Sequence, residues 1–237
     1  IFVVIGVFIF FLLRPDGLLH IYFLDVGQGD AIFIRAPHGN DMLIDGGSSK
    51  IILQKLAEVM PIYDRSIDVV IETHPDADHI GGLPFVLERY YVGLFLEPGI
   101  NSKNVIDDEL RRIRTERGIP FQFARRGMKI NLGADVYFDV LYPDRDISNF
   151  KNTNDASIVG QLRYGSTTIM LTGDSPKKIE NYLIGLDAIH LKSDVLKAGH
   201  HGSRTSSSKK YIEVVAPEYV VISAGKNNRY GHPNTDV

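Results

Sequence analysis

Apolar residues arrive in short runs separated by polar, glycine-rich breaks along almost the whole chain, and the period of each run assigns an element. Residues 18–26, 31–36 and 41–45 predict three strands divided by Gly-rich or Pro-rich turns. Residues 51–60 carry apolar side chains at helical spacing, behind Ser48 and Ser49, which suit the cap. A buried strand over 67–72 runs straight into His74, and helices follow at 82–90 and 105–117, the second ended by Gly118. Strands come next at 135–141, 157–164 and 167–172. Ser175-Pro176 then opens a helix to residue 186, with serine at the cap and proline in the first turn. The last cycle is strand 194–198, helix 208–215 and strand 219–223. Strand runs with helices between them imply stacked sheets covered by helices, an α/β architecture.

One stretch departs from this rhythm. Residues 1–13 (IFVVIGVFIFFLL) hold no polar side chain, and Arg14-Pro15-Asp16-Gly17 ends them abruptly. A 13-residue helix is about 20 Å long, short of the ~30 Å hydrocarbon core, so the run reads as the tail of a transmembrane helix. A buried core segment and a signal remnant are the competing readings. The expected organisation is a membrane tether over 1–17 followed by one domain over 18–237.

Composition narrows the chemistry. With 44% hydrophobic and 23% charged residues the chain is globular, neither collagenous nor disordered. It has no cysteine, which excludes disulfides, thiolate metal sites and cysteine nucleophiles. Every metal ligand must therefore be imidazole, carboxylate, amide or water. The net charge of −3 means that binding to a polyanion depends on local patches. Two segments qualify: residues 197–210 hold four basic side chains and no acid, and residues 103–129 hold eight basic against four acidic.

Three clusters sit where apolar strands end. Thr73-His74-Pro75-Asp76-Ala77-Asp78-His79 places four potential ligands within six residues, of types that suit zinc, manganese or iron. Thr172-Gly173-Asp174 puts a carboxylate just past another strand. Lys197-Ala198-Gly199-His200-His201-Gly202-Ser203 does the same with two imidazoles between glycines, poor material for a core. Together they outline one site fed from several strand ends.

The order H-x-D-x-D-H, T-G-D, H-H-G-S resembles the metallo-β-lactamase superfamily. Phe23-Leu24-Asp25-Val26-Gly27-Gln28-Gly29-Asp30-Ala31, Leu43-Ile44-Asp45-Gly46-Gly47 and Tyr230-Gly231-His232-Pro233 resemble one branch of it, the soluble domain of the ComEC competence proteins and their stand-alone relatives. The resemblance covers residue 18 to the end. It implies an αβ/βα four-layer sandwich with a hydrolase centre of two divalent metal ions, zinc or manganese, between the sheets. It also implies a membrane-associated protein with this domain on the outer face of the cytoplasmic membrane, beside a transport channel.

Carried over by position, His74 and Asp76 would bind one metal, Asp78 and His79 the other, and Asp174 would bridge them. One of His200 or His201 would complete the second site; His201 is favoured, although spacing does not separate adjacent histidines. The chain departs from the superfamily in two respects. Asp76 stands where a second histidine is usual, and no histidine lies between His79 and His190, so the third-motif ligand is replaced. Asn152-Thr153-Asn154-Asp155-Ala156-Ser157 occupies that place, leaving Asn154, Asp155 or water to complete the first site. A donor set richer in carboxylate is harder and tolerates manganese.

Asp78 would also orient the attacking hydroxide, and His232 would donate a proton to the leaving group or hold a phosphate oxygen. Asp25, Gln28, Asp30 and Asp45 are the groups expected behind the ligands, since metal-bound histidine needs a partner on its other nitrogen. Lys197, Ser203, Asn154 and Ser157 are the expected substrate contacts, with the hydroxyls of residues 206–208 near a helix start. The basic segments near a two-metal centre favour phosphate esters over lactams, and the ComEC resemblance implies degradation or processing of single-stranded DNA during import as the first candidate. Small or cell-wall phosphodiesters of phosphocholine type are the second, and a catalytically silent metal-binding module of a transporter the third. Tyr90, Tyr91, Phe121, Phe123 and Tyr230 are the aromatics available to stack on bases.

Overall fold

Strands β1 (His20–Phe23), β2 (Ile32–Arg35) and β3 (Asp41–Ile44) form an antiparallel meander. β4 (Ser66–Ile71), β5 (Tyr91–Glu97) and β6 (Phe121–Phe123) extend the same sheet in parallel. The second sheet repeats the plan. β7 (Lys129–Gly133), β8 (Val136–Tyr142), β9 (Val159–Tyr164) and β10 (Thr167–Leu171) run antiparallel, and β11 (Val195–Lys197) and β12 (Tyr219–Val221) follow in parallel. Each sheet keeps its strands in chain order, as expected when every parallel step is made by a crossover helix. These coordinates come from a computed structural model that describes residues 16–237. The apolar run of residues 1–13 and nearly all of the expected tether lie outside the described residues. Among the described residues no helix is long and apolar enough to cross a membrane.

Alternation along the strands sorts the side chains into three cores. Phe33, Leu43 and Val70 point to one face of the first sheet, where helices α1 (Ile51–Val59), α3 (Leu83–Arg89) and α4 (Val105–Glu116) bring Ile52, Leu56, Leu83, Val86, Leu110 and Ile113. Ile32, Ile34, Met42, Ile44 and Ile71 point the other way, against Phe138, Val140, Leu162, Ile169 and Leu171 of the second sheet. Met170, Val159 and Leu196 leave the far side of that sheet and meet Ile179, Leu183, Tyr211 and Val215 of α5 (Lys177–Asp187) and α6 (Lys209–Val215). The result is the helix–sheet–sheet–helix sandwich that the sequence resemblance implied.

Three strands exceed the sequence expectation: β5, β6 and β7. β5 contains Gly93, where a Cβ would stand 2.7 Å from the Asp68 carbonyl oxygen, too close without a shift of the backbone. β6 spans three residues, all exposed at the sheet edge, so it carries no burial pattern to read. The H-x-D-x-D-H segment that follows β4 contains a single helical turn, α2 (Ala77–Ile80).

Within the second sheet the Phe138 ring of β8 lies over Gly160 of the neighbouring β9, where a Cβ would stand 2.1 Å from Phe138 Cζ. Gly160→Ala should therefore lower stability by about 1–3 kcal/mol through overpacking, read as a shift of the denaturation midpoint. Combining it with Phe138→Leu should recover part of that loss, because the two residues share one space. An unchanged midpoint for Gly160→Ala would show that the Phe138 ring is free to move off β9.

Candidate metal centre

The carboxyl ends of β4, β10 and β11 open on the same place, as usual for ligand sites of α/β sheets. After β4, Asp76 forms the cap of α2, with the His79 amide donating to its carbonyl at 2.9 Å. That turn folds Asp78 and His79 back toward His74, whose ring centroid is 4.1 Å from that of His79.

Asp45, at the end of β3, fixes both rings. Its carboxylate accepts the Thr73 amide at 2.8 Å, the Thr73 hydroxyl at 2.7 Å and His79 Nδ1–H at 2.7 Å. With its proton given to Asp45, Thr73 Oγ1 can only accept from His74 Nδ1–H, 3.0 Å away. Both rings thus spend their Nδ1 protons outward and turn Nε2 inward. Gly29 permits the neighbouring loop to close in: at φ 124° it lies so near Asp78 that a Cβ would stand 2.0 Å from the Asp78 carbonyl.

From the second sheet comes Asp174, its amide donating to Ser157 Oγ at 3.2 Å. His200 and His201 sit in a 3-10 turn, Gly199–Gly202, with left-handed backbones at φ 50° and 56°. For residues with a side chain that conformation costs of order 1–3 kcal/mol each and marks positions held for function. His201 is buried, donates Nδ1–H to the Ser223 carbonyl at 2.9 Å, and places Nε2 3.3 Å from Asp78 and 3.4 Å from Asp174. His200 is 27% exposed, pairs Nδ1 with Thr205 Oγ1 at 2.9 Å, and brings Nε2 to 3.7 Å from Asp174.

The inward atoms have no hydrogen-bond partner. His74 Nε2, His79 Nε2, His201 Nε2 and Asp174 Oδ1 are all buried and unsatisfied, whereas buried polar atoms are ordinarily paired. Two triads, His74–His79–Asp174 and Asp78–His79–His201, each keep one ligand atom per residue within 4.8 Å of the others. Asp76 lies 3.7 Å from His74 Nε2. Imidazole nitrogens and carboxylates orphaned around one point are the donor set that a divalent cation satisfies.

The electrostatics agree. Burial and the adjoining His79 depress His74 to about 4, so its ring is neutral at ordinary pH. Burial also opposes charge on His79, but Asp174 and Asp45 outweigh it and hold the ring well above its ordinary value. His201 is likewise pushed up to about 9, against burial, by Asp30 and Asp78. Asp174 stays ionised despite burial because these rings surround it.

The other expected site residues divide. Asp30 and Asp45 stand behind the rings, Asp30 Oδ1 at 3.4 Å from His201 Nδ1. Asp25 and Gln28 do not reach them: Asp25 accepts the Gly27 amide in its own turn, and Gln28 accepts the Gly225 amide. Lys197, expected to meet substrate, is 1% exposed, paired with Asp30 and donating to the Gly173 carbonyl at 3.3 Å. Ser157 is fully buried against the Asp174 amide, and Ser203 bonds Thr205. The amides of Ser207 and Ser208 are taken by the Glu180 carboxylate, so the α6 start presents no free phosphate seat. In the replaced third motif Asp155 pairs with Lys178, the Asn154 amide and carbonyl are used within the turn, and Thr153 reaches the site by hydrogen-bonding Asp76. His232 lies beside the rings, 5.7 Å from His200 and 6.4 Å from His201 between centroids. Sequence reasoning assigned no role to Thr73 or Thr205; the hydroxyl next to each histidine motif was the available signal.

Lys197→Met should cost about 3–5 kcal/mol, because it leaves Asp30 a buried, unpaired carboxylate. The double variant Lys197→Met/Asp30→Asn should be more stable than Lys197→Met alone in chemical denaturation. Additive losses would mean that the two groups are not coupled.

Against known proteins, the profile of the metallo-beta-lactamase superfamily matches residues 24–226. The chain is 31% identical to ComE operon protein 3 of Bacillus subtilis (strain 168), over 97% of this chain and 31% of that protein. It is 27% identical to competence protein ComA of Neisseria gonorrhoeae, over 94% of this chain and 29% of that protein. The chain thus spans less than a third of the length of these relatives. Among solved structures, CmlA, a diiron beta-hydroxylase from Streptomyces venezuelae, shares the fold with a TM-score of 0.57 at 15% identity, covering 92% of this chain and 49% of that one. Fold, motif order and profile converge, and the chain belongs to the metallo-β-lactamase superfamily.

Proposed function

We propose that the chain is a hydrolase dependent on two divalent metal ions that cleaves DNA phosphodiesters in a ComEC-type uptake system. The observation that carries this reading is the convergence of four buried, unsatisfied donors, His74, His79, His201 and Asp174, in a chain whose relatives bear competence names. His74, Asp76 and Asp174 would hold one ion, and Asp78, His79, His201 and Asp174 the other, with His200 left at the rim. Zinc or manganese bound there supplies Lewis acidity toward a phosphoryl oxygen and lowers the pKa of coordinated water.

The remaining work falls to the protein. Asp45 and Thr73 lock two rings in the tautomer that offers Nε2. Asp78, half-exposed at the lip, orients the nucleophile, and His232 delivers a proton to the leaving oxygen or steadies a phosphoryl oxygen. Asn154 and Ser203 contact the DNA strand in this reading, while Lys197, Asp30 and Ser157 support the ligands from behind. Residues 1–17 tether the domain to the membrane, on its outer face next to a transport channel.

With Mn²⁺ or Zn²⁺, the chain should cut single-stranded DNA, and Asp174→Ala or His79→Ala should abolish cleavage. Asp45→Asn should reduce it roughly 10–100-fold, since it acts only through the histidines. Turnover of bis(p-nitrophenyl) phosphate without DNA cleavage would replace this reading with the small or cell-wall phosphodiester. Bound metal with neither activity would replace it with the silent module.

Metal uptake should depend on pH in a set direction. His201, titrating at about 9, and His79, held still higher than its ordinary value, carry protons at neutral pH without metal. A metal must displace them, so affinity should rise as pH climbs toward 9 and binding should release protons. Calorimetry in buffers of different ionisation enthalpy reads that release; heats independent of buffer would exclude it.

A further inference from the structure

The loop that carries His232 is built around Asn228. Its amide group donates to the Gly225 carbonyl at 2.8 Å and the His232 carbonyl at 2.6 Å. Its oxygen accepts the Tyr230 amide at 3.1 Å and the His232 amide at 3.0 Å. Four hydrogen bonds to one side chain set the loop before any ligand arrives. Burying Tyr230 is not what shapes it, for that ring remains 52% exposed.

The exposed ring is nevertheless placed. It stacks on His232 with centroids 5.7 Å apart and planes at 26°, and His232 stands beside His200 and His201. The Arg229 guanidinium lies 4.9 Å from the Tyr230 ring centre and donates to the Tyr230 hydroxyl at 2.6 Å. Through His232, which neighbours both site histidines, the pair stands beside the metal centre. Of the other aromatics expected to stack on bases, Phe121 and Phe123 lie on the β6 edge and Tyr91 starts β5, while Tyr90 is buried.

Resting on the DNA reading above, the geometry points to Arg229 and Tyr230 as the seat of a nucleobase beside the scissile phosphate. A π-face held in place by a loop gives stacking without sequence preference, and the guanidinium adds cation–π attraction and a charge for the neighbouring phosphate. The same guanidinium makes the ring a poor seat for a cationic head group such as choline, since like charges would share one face. The pair therefore selects a single-stranded nucleic acid against the small phosphodiester that the metal centre alone would accept.

The test compares a fluorescent oligothymidylate with an abasic strand of equal length, by anisotropy in EDTA so that cleavage plays no part. The chain should prefer the strand with bases, Tyr230→Leu should weaken that binding at least about fivefold and leave the abasic strand unaffected, and Tyr230→Phe should retain the preference. Arg229→Gln should weaken both strands, the base-bearing one more. Equal losses on both strands in Tyr230→Leu, or none, would overturn the base seat even while the wild-type chain cuts DNA. Binding of neither strand by a chain that turns over bis(p-nitrophenyl) phosphate would overturn the DNA reading and the base seat with it.

Discussion

Asp174 is the point at which the two halves of the molecule are obliged to meet. Its Oδ2 lies 3.3 Å from His79 and 3.9 Å from His74, which are carried by the first sheet, and 3.4 Å from His201, carried by its own. A carboxylate so deeply buried is tolerable only among groups that offset its charge. The surrounding rings do this, but their Nε2 atoms stay without hydrogen bonds of proper geometry. The inter-sheet core, Ile44 and Ile71 against Leu171 and Phe138, holds the three strand ends at the separation this cluster requires.

Around that point the structure spends stability on precision. Two consecutive histidines adopt left-handed backbones, and a lysine and an aspartate are buried as a pair behind one of them. A buried ion pair seldom exceeds a hydrophobic substitute in stability, so its presence next to His201 is better explained by what it orients. Lys197 keeps Asp30 ionised, its carboxylate well below the ordinary range although burial opposes this, and Asp30 faces His201 Nδ1. Asp45 plays the corresponding part for His79 and, through Thr73, for His74.

The charge that meets a substrate is distributed differently from the charge counted along the chain. Arg111, Arg112 and Arg114 in the basic segment 103–129 are bound to Asp107, Glu109 and Glu97, and Arg126 to Asp187. Such pairs offset four of the eight basic charges of the segment. Arg229, hydrogen-bonded to the exposed Tyr230, comes from a part of the chain with no basic run.

The candidate ligand motifs were legible in the sequence because each is short and follows an apolar strand, so residue type and position along the chain suffice to find them. The same holds for the strands and helices with a clear period, and for the family. What lies between those elements was harder to see: β6 is exposed throughout and β5 contains a glycine, so neither repeats a burial pattern. Side-chain roles were the least legible. A lysine next to two histidines suggests a phosphate contact, yet folding places it under the Asp30 carboxylate, 167 positions earlier in the chain. Which of two adjacent imidazoles turns inward depends on backbone angles and on the Ser223 carbonyl, contributed by a distant segment. The sequence by itself determined the inventory of candidate ligands, their order and the family of the chain, because these are properties of neighbours along the chain. Orientation, burial and partnership were decided only by the tertiary structure, because each depends on an atom that the chain brings back from far away.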